Sequence, residues 1–176
     1  IQDDIRNVLG YDDWDLLMVA HPPCTRLCNS GVRWLDNPPP NKTKEEMYRE
    51  LDEGASLFSH LWNCDVSRIA IENPIMHKYA KERILNFEKQ AQTIQPYEFA
   101  ESIEAEDNVS KRTCLWLRNL PLLKPTGLLF DGVIGDNENE TNYLSNSQEH
   151  VYTGFTLINA YIHYMPNPNG GAGLMD

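Results

Sequence analysis

Two short apolar runs, each halted by proline, most constrain what this chain can fold into. Leu16 to Ala20 runs straight into His21-Pro22-Pro23-Cys24-Thr25, and Arg68 to Ile71 runs into Glu72-Asn73-Pro74. Proline lacks a backbone N–H and fixes φ, so neither run extends further as a central strand. Between them Thr43 and Glu46 form a Thr-x-x-Glu capping box. Met47, Leu51, Phe58, Leu61 and Trp62 follow at helical spacing, which predicts an amphipathic helix over 43–63. Strand, helix and strand in that order imply an α/β domain with a mostly parallel sheet and flanking helices.

The remaining pattern extends this reading. A helix is expected over His77 to Phe87, a strand over Ala91 to Gln95 stopped by Pro96, and a strand over Thr113 to Leu117. Residues 131–150 are polar and loop-like. Val151 to Met165 reads as a helix with Phe155, Ile158 and Ile162 on one face. Residues 1–165 are expected to form one domain, and 166–176, rich in Pro, Gly and Asn, a disordered tail.

Composition excludes several classes. With 41% hydrophobic residues over 176 positions, the chain can bury a real core. No run of about 18 apolar residues occurs, so no membrane span is expected. The start, Ile1-Gln2-Asp3-Asp4, has neither a basic nor an apolar signal region and reads like the middle of a domain. The four cysteines (24, 28, 64 and 114) have no paired zinc spacing, no metal is expected, and a reducing cytoplasm is the expected compartment. A net charge of −11 is a poor match to a freestanding DNA binder, because phosphate contacts need clustered Lys and Arg. The acidic runs Glu98 to Asp107 and Asp131 to Glu140 read as solvated surface. Lys111, Arg112 and Arg118 form a local basic patch between them.

The proline-bounded strand ends carry the chemistry. Strand, Pro-Pro-Cys and a Ser30-Gly31 turn place the Cys24 thiol on a stiff loop at the carboxyl end of a strand, the edge where open α/β sheets bind ligands. Glu72 occupies the equivalent place on the second strand, 48 positions on. A thiolate can add to carbon 6 of a pyrimidine, and a carboxylic acid bonded to ring nitrogen 3 absorbs the developing charge. Carbon 5 then accepts a methyl group. Buried Cys and Glu that do no chemistry are common, and that reading stands beside the catalytic one. His21 either orients Cys24 or bonds backbone. Trp34 and Trp116 either stack a base or, more in keeping with their type, pack in the core.

Pro22-Pro23-Cys24 with Ser30-Gly31 resembles the Pro-Cys loop of cytosine-5 DNA methyltransferases, and Glu72-Asn73 is similar to their Glu-Asn-Val segment. Asp4-Ile5, ahead of the Asp15-Leu16-Leu17 strand, is similar to their Asp-Ile segment. The chain more closely resembles small phage-encoded methyltransferase-like proteins, through Pro-Pro-Cys-Thr, Glu-Asn-Pro, Ile94 to Phe99 and Lys111 to Leu117. The resemblance implies a Rossmann-like methyltransferase-type fold, truncated at its N-terminus, in a bacterial or phage-infected cytoplasm. It implies S-adenosylmethionine as methyl donor, near Asp4, Ile5 and Pro22. Cys24 would be the nucleophile and Glu72 the acid. Ser30, Gly31, Asn73, Lys111 and Arg112 would contact the substrate, DNA or a cytosine nucleotide.

This sequence departs from the family at several points. Thr25 stands where the family has Gln, and Pro74 where it has Val. No Gly-containing strand-loop precedes Ile1, which puts cofactor binding by this chain in question and makes a homodimer that completes the sheet plausible. Only 64 residues follow Arg112, too few for a target-recognition domain. Gly154 to Ala160 is a weak counterpart of the family's closing helix. Two alternatives remain. Amino-methyltransferases use Asp/Asn-Pro-Pro-Tyr, of which His21-Pro22-Pro23-Cys24 keeps only the prolines. The other is a non-catalytic methyltransferase-like protein acting as a binding or regulatory module.

Overall fold

The computed structural model describes residues 2–19, 22–100, 102, 105 and 108–126. Four strands form one sheet: β1 (Leu16–Val19), β2 (Arg68–Asn73), β3 (Gln92–Ile94) and β4 (Thr113–Arg118), in the order β1-β2-β4-β3. Helices α1 (Ile5–Val8), α2 (Asn29–Asp36), α3 (Lys44–Asn63) and α4 (Lys78–Lys81) accompany it, with a 3-10 turn at Pro96–Phe99. The α/β class is as expected from the sequence.

The sheet is mixed, which corrects the expectation of a mostly parallel one. β1 and β2 pair in parallel, but β2–β4 and β3–β4 are antiparallel. The connection decides this. Between β1 and β2 lies the long helix α3, which carries the chain back across the sheet, as a parallel pair requires. Between β3 and β4 there is only the short 3-10 turn among the described residues, and the chain comes back reversed. β1, β2 and β3 therefore point one way, and β4 alone runs against them.

Helix α3 forms where the sequence places it. The Thr43 hydroxyl accepts from the Glu46 N–H at 3.2 Å, and the Glu46 carboxylate accepts from the Thr43 N–H at 2.7 Å. Its buried face is Met47, Leu51, Ala55, Phe58, Leu61 and Trp62. It packs on Ile69 and Ile71 of β2 and Trp116 of β4, the main core. Phe58 meets Trp116 edge-to-face at 5.2 Å, and the indole N–H donates to the Glu88 carbonyl at 2.8 Å. Trp116 is thus a core residue. At the other end of α3, Arg118 supplies the missing donors. Its guanidinium donates to the carbonyls of Cys64 and Trp62 and lies 4.8 Å over the Trp62 ring. A smaller core of Ala70, Ile94, Phe99, Leu115 and Leu123 covers the opposite sheet face. Burial on both faces explains why β2 reads as an unbroken apolar run.

Three local expectations are corrected. Ser30-Gly31 lies inside α2 rather than in a turn; Gly31 and Leu35 form its buried positions. The helix expected over 77–87 is a single turn, α4. Beyond it, α3 side chains capture the backbone: the Leu85 N–H donates to Ser59 Oγ at 2.9 Å, and Asn63 Nδ2 donates to the Leu85 carbonyl at 3.0 Å. Asn86 then takes φ 52°, which closes the turn. Finally, Glu72 and Asn73 belong to β2 itself. The expected helix over 151–165, the tail 166–176 and His21 lie outside the described residues. Among the described residues no helix is long and apolar enough to cross a membrane.

Candidate functional site

Parallel pairing of Leu16 with Arg68 through Val19 with Ile71 puts the carboxyl ends of β1 and β2 on one edge. Beyond β1 the chain passes the buried Pro22 and reaches the half-buried Cys24. A tight turn follows, in which the N–H groups of Leu27 and Cys28 both donate to the Cys24 carbonyl, at 2.8 and 3.1 Å. Helix α2 then packs against that turn so closely that a Cβ on Gly31 would lie 1.9 Å from the Thr25 carbonyl oxygen. Only glycine allows the approach.

The turn is sewn to the chain leaving β2. The Asn29 N–H donates to the Ile75 carbonyl at 3.1 Å, and the His77 N–H donates to the Leu27 carbonyl at 3.0 Å. Cys28 and Met76 form an antiparallel bridge. The His77 ring adds to the seam: Nδ1 accepts from the Ala80 N–H at 3.2 Å, so the ring proton sits on Nε2, which donates to the Arg26 carbonyl at 2.6 Å. The two sequence motifs are therefore neighbours in space.

Glu72 is buried and lies within electrostatic reach of Cys24 and Cys114. Burial pushes the Cys24 thiol up to about 12; the Cys28 thiol and the Glu72 carboxylate add to this, while the Lys111 ammonium opposes it. The thiol is accordingly protonated at neutral pH. The antiparallel sense of β4 brings the basic pair to the same edge. Asn73 faces Cys114, so Lys111 and Arg112, just before β4, lie beyond the end of β2. Arg112 and Lys81 pull the Cys114 thiol down, against the larger upward push of its burial.

Other expected site residues have other occupations. The Ser30 hydroxyl lies 3.0 Å from Cys28 Sγ. Gly31 serves the packing of α2. Asn73 is fully buried; its Nδ2 donates to the Pro74 carbonyl at 3.2 Å, and its Oδ1 has no hydrogen-bond partner. Asp4 caps α1, and both of its oxygens engage Arg6, whose guanidinium holds the carboxyl well below the usual carboxylate range. Ile5 packs against the main core. An adenosyl group placed at Asp4 would meet a carboxylate already committed to Arg6, so these residues, as arranged, do not fit that group. Among the described residues no three His, Cys, Asp or Glu side chains are grouped to hold a metal ion.

His77 and Arg26 are absent from the sequence-level site. Their contact joins positions 51 apart, and no local pattern marks it. The Gly31 contact has a better signal, since Gly31 and Leu35 sit at helical spacing after Cys28. No protein-family model, curated protein or solved structure matches this chain.

Proposed function

We propose that the chain is a Rossmann-like, cytosine-5 methyltransferase-like enzyme in which Cys24 attacks carbon 6 of a cytosine and Glu72 serves ring nitrogen 3. One observation carries this reading: at the carboxyl edge of a parallel strand pair, the Cys24 turn is hydrogen-bonded to the chain just past β2, at Ile75 and His77, and Glu72 lies within electrostatic reach of the thiol. Two independent motifs converge on the residue types that pyrimidine activation needs.

The division of labour follows from position. Cys24 must lose its proton as the base binds, since its resting thiol is too weak an acid to be ionised at neutral pH. Glu72, in a buried setting, donates a hydrogen bond to nitrogen 3 when protonated and so draws charge out of the ring. Lys111 and Arg112 supply the cations for a substrate phosphate on a chain whose net charge is −11. That charge favours a cytosine nucleotide, or DNA delivered by a partner, over unaided duplex binding. S-adenosylmethionine supplies the methyl group in this class. Asp4 would have to release Arg6 to contact it.

The raised Cys24 thiol favours a second reading, in which the same fold is a non-catalytic binding module. Transfer of labelled methyl from S-adenosylmethionine to mixed DNA and to cytosine nucleotides separates the two. Incorporation by the natural full-length protein that disappears in Cys24→Ala is the expected result. No incorporation into any substrate by a folded protein that also fails to bind the donor would leave the binding module.

A further inference from the structure

We propose that His77 is a positioning residue of this site: its ring clasps the turn that carries Cys24 onto the segment that leaves Glu72. The ring is buried, and both nitrogens are committed, Nδ1 to the Ala80 N–H and Nε2–H to the Arg26 carbonyl two residues after Cys24. Arg26 is held at its other end as well. Its guanidinium donates to Glu50 of α3 at 2.6 Å, and Glu50 also takes Lys42. The Cys24 turn is thus fixed between α3 and the chain after β2. Releasing the His77 ring leaves the seam to the backbone bonds of Asn29 and His77 and so loosens it.

Only the Ala80 contact needs a neutral ring; the Nε2–H bond to the Arg26 carbonyl does not. An imidazolium has no lone pair for the Ala80 N–H. The charges that act on it are cations: Arg83 from the turn after α4, paired to Asp52, and Lys81 of α4. Glu50 of α3 faces Arg26, and the Tyr79 ring lies 6.0 Å away, edge-on. Among the described residues no carboxylate bonds to the ring. Burial, with Arg83 and Lys81, lowers the ring's affinity for a proton, and the Arg26 carbonyl opposes this less strongly. Protonation therefore removes the cap on α4 and leaves the seam bond to the Arg26 carbonyl in place.

The inference rests on the proposed reading of Cys24 as the reacting group, but its test measures thiol exposure and not methyl transfer, so either can fail alone. The probe is dithiodipyridine, a disulfide reagent that stays reactive in mild acid, with Cys24 modification followed by peptide mass analysis in the full chain. Asn in place of His77 puts its oxygen where Nδ1 lies and keeps the helix cap, but it cannot reach the Arg26 carbonyl. Gln reaches that carbonyl with its amide nitrogen. His77→Asn is expected to expose Cys24 about tenfold faster near pH 8, the factor expected from one lost buried hydrogen bond. His77→Gln is expected to stay close to the parent. His77→Asn at the parent rate, or both variants equally fast, would overturn the clasp. Should His77→Asn fail to fold by circular dichroism, His77→Ser, which can cap α4 but cannot reach the Arg26 carbonyl, takes its place, and modification at the parent rate overturns the clasp.

Discussion

Substituting alanine for Gly31 tests the packing that holds Cys24 in place. On an exposed helix the change would stabilise, because glycine costs roughly 0.5–1 kcal/mol relative to alanine in a helix interior. Here the new Cβ would sit 1.9 Å from the Thr25 carbonyl oxygen, 3.0 Å from its carbon and 3.3 Å from Arg26 Cα. All three are backbone atoms of a turn closed by two hydrogen bonds to the Cys24 carbonyl and tied to Ile75 and His77. No side-chain rotation relieves the contact; the turn or α2 must move by more than an ångström. Overpacking of this kind costs about 1–3 kcal/mol, and a rigid backbone neighbour places it at the upper end. Subtracting the propensity gain leaves a net loss of about 2 kcal/mol. For a domain of this size that lowers the unfolding midpoint by roughly 4–8 °C. Urea and thermal unfolding followed by tryptophan fluorescence measure it. Gly54→Ala is the internal control, since its Cβ meets the Leu27 side chain at 3.3 Å, and a flexible side chain can yield. The tightest backbone atom there is the Pro23 carbonyl oxygen at 3.5 Å. A Gly31→Ala protein as stable as the parent, or more so, would refute the argument that the α2 approach requires glycine.

Two further outcomes are expected. Arg118→Ala should lose about 1–3 kcal/mol in urea unfolding, because it leaves the Trp62 and Cys64 carbonyls at the end of α3 without their charged donor; an unchanged midpoint would mean that water replaces the guanidinium. Alkylation of Cys24 by iodoacetamide should climb about tenfold per pH unit from pH 7 to 10, since a thiol pushed up to about 12 is ionised only to about one part in ten thousand at pH 8. A plateau near neutral pH would show a thiolate already formed in the resting site.

How much was legible depended on whether the signal was local. The helix over 43–63 was legible because capping and periodicity agree within one stretch: Thr43 and Glu46 close the box, and Met47, Leu51, Phe58, Leu61 and Trp62 form one face. That β1 and β2 stop short of their prolines was legible because proline cannot continue a central strand, although β2 runs two residues past Ile71. The length of the helix after His77 was not, because Ser59 and Asn63, distant in sequence, take the Leu85 backbone. The occupation of Asp4 is local, yet it depends on Arg6 folding back onto it.

From residue order alone came an α/β chain with a thiol and a carboxylate at two proline-bounded strand ends, for apolar spacing and proline act within a few residues. Tertiary structure alone decided which way β4 runs. With no long helix between β3 and β4 among the described residues, the chain returns antiparallel, and that reversal carries Lys111 and Arg112 to the edge that holds Cys24 and Glu72. A parallel β4 would have placed Arg118 there instead. The His77 clasp and the Gly31 approach are likewise products of folding, because each joins backbone groups that meet only once the two loops are packed together.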